Sequence, residues 1–333
     1  MMMNPLRCTR KCLFLATGLA VLAICWFRIW DRSIDTKRLV REIQQLRSQW
    51  KRNASNYEVL GKELEKCCDA HRLFAVTKQN TAIGTVLWFD AELFHSHTVD
   101  PHTYSLLVKD PPLPHRLSTC AVVGNGGILK NSGCGNEIDR AQFVIRCNLP
   151  PLNKGYAEHI GKRTHLVTAN PSIIERRFEG LEWSRRPFLQ SVNVYERSFI
   201  YMPAFSSNIG TEPSFRAAHT LADASANQTL LFAHPDFLRR VSEYWASHGV
   251  GARRLSTGLF MLTLALSVCD QVDVYGFWPF PDGPDGMPLS HHYYDNEPPN
   301  SYHAMPQEFL QLWELHKSGV IRLQVGSCDA TMH

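Results

Sequence analysis

The chain of 333 residues holds no CxxC pair, no HExxH, no GxGxxG and no Asp-x-Asp. These absences speak against a zinc ribbon or thioredoxin-like centre, a zincin-type hydrolase, a dinucleotide fingerprint and a metal-held nucleotide diphosphate. There is no internal repeat or low-complexity tract, and only one long apolar run. A solenoid and a multi-span membrane chain are therefore excluded. Past residue 66 the chain also lacks any excess of positive charge. Residues 1–66 hold 13 Lys and Arg against 6 Asp and Glu; residues 67–333 hold 22 against 25, with all 15 histidines. The net charge of +4 belongs to the N-terminus, and the bulk of the chain offers no basic field to nucleic acid.

What the N-terminus does have is an uncharged run, Leu13 to Phe27, behind Arg7, Arg10 and Lys11. Extended to residues 12–30 it reaches roughly 28 Å as a helix, enough to span a thin bilayer. Trp26, Trp30 and Arg28 suit its interface. The reading is a cytosolic tail (1–11) and an uncleaved signal anchor (12–30); the rival, a cleaved signal peptide, lacks a clean small-x-small site. Residues 31–66 are charged, and their apolar positions recur every three or four residues, with Asn53 as the gap. That predicts a helical stem, solvated or weakly coiled. Asn53-Ala-Ser and Asn227-Gln-Thr are glycosylation sequons. Cys67-Cys68 is a candidate for an interchain bond in a homodimer, or for an internal pair. Two sequons, an anchor and seven downstream cysteines agree on a lumenal or extracellular domain at 67–333.

From Cys120 onward, short β-rich runs alternate with helical patterns. Strands are expected at Cys120–Val123, Phe143–Arg146, His165–Thr168, Phe199–Met202, Leu230–Phe232, Val272–Tyr275 and Ile321–Val325. Helices are expected at Ser172–Phe178, Glu212–Leu221, Pro235–Ser247, Thr257–Cys269 and Pro306–Lys317. This is an α/β fold with a mostly parallel sheet, whose ligands bind at the carboxyl ends of strands.

Three segments carry chemistry. Gly124-Asn125-Gly126-Gly127 leaves a strand, where glycines let backbone approach a phosphate or sugar; a bare turn is the plain alternative. Ser256 or Thr257 can cap an apolar helix and leave N–H groups aimed at an anion. His291-His292-Tyr293-Tyr294-Asp295, followed by His303 and Glu308, lies in a Pro- and Gly-rich loop. No metal-ligand spacing supports zinc there, and acid–base roles fit better.

These residues resemble a known family. Cys120-Ala-Val-Val-Gly-Asn-Gly-Gly-Ile-Leu through Phe143-Val-Ile-Arg-Cys-Asn148 resembles the long sialylmotif of animal sialyltransferases. Arg254-Leu-Ser-Thr-Gly-Leu through Gly276 resembles the short motif, His292-Tyr-Tyr-Asp295 the third, and His303-Ala-Met-Pro-Gln-Glu308 the very short motif. Within the family the wording is similar to the α-2,8 branch, nearest to members acting on gangliosides. The resemblance implies a Rossmann-like variant of the GT-A fold, CMP-sialic acid as donor, no metal or other cofactor, and inversion. It implies that Asn125 and Asn148 contact the CMP phosphate and ribose. Ser256, Thr257 and Gly258 would meet the nucleotide or sialyl group, and Trp278 would line the nucleotide pocket. Asn170, Pro171 and Ser172 would touch donor or acceptor. His303 would be the general base, His292 would hold the leaving phosphate, and Glu308 would orient the site. It further implies the disulfides Cys120–Cys269 and Cys134–Cys328, with Cys147 a buried free thiol, and residence in the Golgi membrane as a single-pass type II protein.

The expected reaction is transfer of sialic acid to O8 of a terminal sialic acid on a ganglioside. Three readings compete. A polysialyltransferase acting on glycoproteins would carry a strongly basic stretch before the long motif, but residues 69–119 hold four basic and five acidic residues. A lumenal Rossmann-type oxidoreductase would need the missing GxGxxG. A catalytically dead sugar-binding protein would not need both histidines.

Overall fold

The computed structural model describes residues 36–46, 50–113, 116–153, 155–297 and 302–328. The expected tail and anchor lie outside the described residues, among which no helix is long and apolar enough to cross a membrane. The chain divides into two units, residues 1–45 and 46–333. A helix, Thr36–Leu46, runs across that division; all other described elements belong to the second unit.

Two short strands, β1 (Val86–Trp88) and β2 (Ser96–Thr98), form an antiparallel hairpin. The main sheet has seven strands: β3 (Leu117–Val123), β4 (Phe143–Arg146), β5 (Leu166–Thr168), β6 (Phe199–Met202), β7 (Thr229–Phe232), β8 (Cys269–Tyr275) and β9 (Arg322–Gln324). Every pairing in it is parallel, in the order β7-β6-β5-β4-β3-β8-β9. Both faces are covered by helices, which is why β4 and β5 are buried along their whole length and read as unbroken apolar runs. All seven expected strands are present within a few residues. The expected helices form as Pro171–Phe178, Asn208–Asp223, Pro235–Ser247, Thr257–Val268 and Met305–Lys317.

The chain builds outward from β3 through β7 on one side, then returns to add β8 and β9 on the other. The order reverses between β3 and β8, and a crevice opens at their carboxyl ends. The helix Thr257–Val268 packs on both strands and is apolar on all sides. Its outer face is covered by the helix Ala54–Cys68 through Tyr57, Leu64 and Cys68.

Part of the segment expected as stem lies in this contact. From Trp50 onward the segment is bound to the fold. Trp50 Nε1 donates to the His316 carbonyl at 3.1 Å, Asn53 N to Gly319 at 2.9 Å, and the Tyr57 hydroxyl to Cys269 at 2.6 Å. The apolar spacing of residues 57–68 serves the Thr257–Val268 helix, whose exposed apolar side would otherwise face water. Asn53 caps this helix by accepting from Asn56 N, so the break in the apolar seam is a helix start. Both sequon asparagines, Asn53 and Asn227, are exposed.

Cys120 in β3 is joined to Cys269 at the start of β8, and Cys134 to Cys328. Cys67 is bonded to its neighbour Cys68, the internal alternative rather than the interchain one. Cys147 is free and buried, and burial pushes its thiol up to about 12.

One buried carboxyl lies between the hairpin and the sheet. Asp90 meets the Ser206 hydroxyl, which accepts from Arg254 Nη2 at 2.7 Å. Burial outweighs these partners and raises Asp90 to about 6, above its unfolded value near 4. The folded state therefore holds this proton more tightly. Its stabilising effect is complete below pH 4 and is lost as pH rises through 6. Asp90→Asn should raise stability relative to the parent by about 2–3 kcal/mol at pH 7.5, and the gain should vanish by pH 4. Paired thermal melts across that range check it.

Candidate active site

The crevice is built first from backbone. Beyond β3 and β8 the chains stay in register: Gly124 N donates to the Tyr275 carbonyl at 2.8 Å, and Gly126 N to Gly276 at 2.9 Å. Gly276 has φ +75°, and a Cβ on Gly126 would sit 2.6 Å from its carbonyl oxygen. Only glycine lets these two turns pass so closely. The 291–293 segment then lies along the first turn, with Tyr293 N donating to the Asn125 carbonyl at 2.9 Å and Gly127 N to His291 at 3.2 Å.

Three asparagines stand at successive strand ends. Asn125 Nδ2 donates to the Cys147 carbonyl at 2.8 Å, while its Oδ1 is buried without a partner. A buried amide oxygen left unpaired is costly, so a ligand donor there would relieve it. Asn148, just after β4, holds a left-handed φ of +62°, and its N–H donates to Thr168 Oγ1. Asn170, after β5, starts the Pro171–Phe178 helix, and its side chain accepts from Thr257 Oγ1 at 3.4 Å.

The Thr257–Val268 helix points its N-terminus into the crevice. Ser256 caps it, accepting from Leu259 N at 3.3 Å, and donates its own N–H to Glu308 at 2.9 Å and its hydroxyl to the other carboxylate oxygen. Burial pushes the Glu308 carboxyl up, opposed by the two Ser256 bonds and by His303. His303 donates Nδ1–H to the Arg254 carbonyl at 2.9 Å, and its Nε2 has no hydrogen-bond partner among the described residues. His292 donates Nδ1–H to Asp295 at 2.8 Å. Trp278 is fixed by donation to the Asp282 carbonyl and by edge contacts with Phe280 and Phe309.

These groups surround one cavity of about 550 Å³. Every catalytic and substrate-binding residue named from the sequence lines it, with one exception. Pro171 occupies the first position of its helix and packs toward Gly210. The sequence reading missed Arg176, Arg177 and Phe277, and named His291 and Asp295 within a chemistry-bearing segment without a specific role; all five are in the wall. The signal for the arginines was spacing. Ser172 and Arg176, and Ile173 and Arg177, are four apart on one helix, so a helix whose start faces the crevice carries them there. Arg177 is held by the Leu149 carbonyl and Tyr294. Among the described residues no group of three His, Cys, Asp or Glu is arranged to hold a metal ion.

A cavity of asparagines, a helix N-terminus, two arginines and paired imidazoles suits an anionic nucleotide sugar. The family model of glycosyltransferase family 29 (sialyltransferase) matches residues 75–320, which encloses the whole cavity. The chain belongs to glycosyltransferase family 29, the sialyltransferases. It is similar to the alpha-N-acetylneuraminide alpha-2,8-sialyltransferases of Xenopus laevis (53% identical, covering 94% of this chain and 88% of that one) and Bos taurus (51%, 94% and 89%). It is also similar to alpha-2,8-sialyltransferase 8E of Homo sapiens, at 42% identity over 84% of this chain and 75% of that one. As a sialyltransferase the chain is an enzyme, and its seven-stranded parallel sheet is the expected α/β architecture.

The Ser256–Glu308 pair joins the helix cap to the loop that carries His303. Ser256→Ala should cost about 1–3 kcal/mol, because it removes the cap and leaves a buried carboxylate oxygen without its donor. Combined with Glu308→Gln the losses should not add, with a coupling of about 0.5–3 kcal/mol in denaturant melts.

Proposed function

We propose that this sialyltransferase is an inverting α-2,8 enzyme that transfers sialic acid from CMP-sialic acid to O8 of a terminal sialic acid on a ganglioside. The α-2,8 linkage rests on the relatives at 51–53% identity. The observation that carries the chemistry is the pair of fixed imidazoles lining one cavity, each held through Nδ1.

In this reading the acceptor O8–H attacks the anomeric carbon, the bond from that carbon to the CMP phosphate breaks, and the proton passes to Nε2 of His303. The electron pair leaves with CMP as a phosphomonoester. Negative charge grows on the phosphate as the sugar approaches an oxocarbenium ion. The N–H groups at Thr257–Gly258 and His292, oriented by Asp295, stabilise that charge. Asn125 and Asn148 hold the nucleotide, and Trp278 closes its pocket. Glu308 acts through Ser256, fixing the helix start relative to His303. Because the nucleophile and the leaving phosphate lie on opposite faces of the sugar, the anomeric configuration inverts.

We assign the enzyme to the Golgi lumen, tethered by residues 12–30. Supporting this are the described disulfides and two exposed sequons, conditions met in the secretory pathway. Asn53→Gln and Asn227→Gln should each raise electrophoretic mobility of the secretory-pathway product, and glycosidase treatment should erase both differences.

His303→Ala should lower kcat about 10²–10⁴-fold, with little change in donor KM or melting temperature. The assay is purified full-length protein with CMP-sialic acid, a panel of mono- and disialo-gangliosides and a sialylated glycoprotein, with products weighed by mass spectrometry. Addition of a single sialic acid to a monosialo acceptor is expected. Products on glycoprotein glycans alone would overturn the ganglioside reading, and full turnover by His303→Ala would overturn the base.

A further inference from the structure

The β1–β2 hairpin has two unlike faces. Leu87 is buried, and opposite it His97 stacks on Phe205. On the outward face Val86 and Trp88 are exposed, Trp88 by 56%. At the tip, His95 N donates to the Glu92 carbonyl at 3.3 Å, closing a turn with Leu93 and Phe94 at its centre. Leu93 is 79% and Phe94 93% exposed. Phe94 has φ +68°, the left-handed conformation that turns normally give to Gly or Asn. A fully exposed aromatic ring in that position helps neither the turn nor the core. Backbone strain of this kind points to a role outside the fold.

The patch extends to a neighbouring element. Glu92 accepts from Asn208 N at 2.9 Å, which brings the tip beside the start of the Asn208–Asp223 helix, where Ile209 is 82% exposed. Cations border it. Arg239 Nη2 donates to the Trp88 carbonyl at 3.2 Å, and Arg240 and Arg72 share a cavity of about 330 Å³ with Trp88. Arg240 has no ion-pair partner among the described residues. Aromatic and aliphatic side chains edged by arginines are the composition of a surface that enters the boundary of an anionic bilayer.

The patch is also connected to the proposed base. Ala91 N donates to the Ser206 carbonyl at 3.1 Å, Arg254 Nη2 donates to the Ser206 hydroxyl, and the Arg254 carbonyl holds His303. We propose that the hairpin tip, Trp88, Leu93 and Phe94 with Ile209, inserts into the membrane surface that carries the glycolipid acceptor. It would hold the His303 side of the cavity at the height of the sugar headgroup. This rests on the ganglioside reading above. An anchor alone keeps the enzyme on a membrane; a second, apolar contact fixes which way its cavity faces.

Two measurements test it, both on the full-length protein. The first uses bilayer nanodiscs containing a phospholipid with a photoreactive acyl chain. After irradiation, lipid adducts should map by mass spectrometry to the peptides bearing residues 86–95 and 209. Adducts confined to other segments would overturn the proposal, whatever the enzyme's acceptor. The second compares Leu93→Ser/Phe94→Ser with the parent on a ganglioside in vesicles and on the same oligosaccharide freed of its lipid. Loss of tenfold or more in kcat/KM on vesicles, with change under twofold on the free sugar, is expected. Equal loss on both acceptors, or none on vesicles, would overturn it. A parent that transfers to neither acceptor refutes the ganglioside reading and leaves the adduct map to decide the docking.

Discussion

The close passage of two turns at the carboxyl ends of β3 and β8 is the constraint on which the rest of the site depends. Gly124 and Gly126 hydrogen-bond to Tyr275 and Gly276 across the point where strand order reverses. The Cys120–Cys269 bond ties the same two strands further back, across 149 positions of sequence. Cross-linking such distant residues limits the freedom of the unfolded chain. The bond also keeps β3 and β8 adjacent, so that Asn125 and Trp278 face one cavity. A side chain on either glycine turn would pry the strands apart at the place where the ligand must enter.

A domain with net charge −3 across residues 67–333 must still bind anions. The structure answers this with local arrangement. The Thr257–Val268 helix sets its start, Thr257 and Gly258, in the cavity wall, and Asn125 leaves one buried oxygen for a donor. Arg176 and Arg177 add positive charge to the wall, while Glu175 on the same helix is turned outward to Arg216. Away from the cavity, Arg322 is paired with both Glu137 and Asp273. Net charge and local field differ because helix geometry sorts residues by face.

The strands were legible in the sequence for a physical reason, since a covered parallel sheet writes them as short apolar runs. The candidate site residues came chiefly from the family motifs, and they stand where a crevice at strand ends requires, just after strands. Asn125, Asn148, Asn170 and Trp278 each follow a strand by a few positions. What was not legible is what depends on contact between distant segments. The apolar spacing of residues 57–68 predicts a helix but cannot say that its partner is the Thr257–Val268 helix rather than a second chain. The β1–β2 hairpin is three residues per strand, Val-Leu-Trp against Ser-His-Thr, too short for alternation to stand out. Arg176 and Arg177 look like a solvated helix face until the start of that helix is known to point at the crevice.

The link between Ser256 and Glu308 explains how the two halves of the site stay in step. The short motif supplies the helix end, and the very short motif supplies both Glu308 and His303. Glu308 is buried at the start of the Met305–Lys317 helix, five residues after His303. Its carboxylate accepts from Ser256, while His303 reaches back to the Arg254 carbonyl two residues before Ser256. Three bonds therefore clamp the loop to the helix start, two at Ser256 and one at Arg254. The proposed base cannot move relative to the anion-binding N–H groups without breaking one of them. In the proposed transfer one face would receive a proton while the other receives a phosphate's charge in a single transition state, and such a step needs that fixed separation.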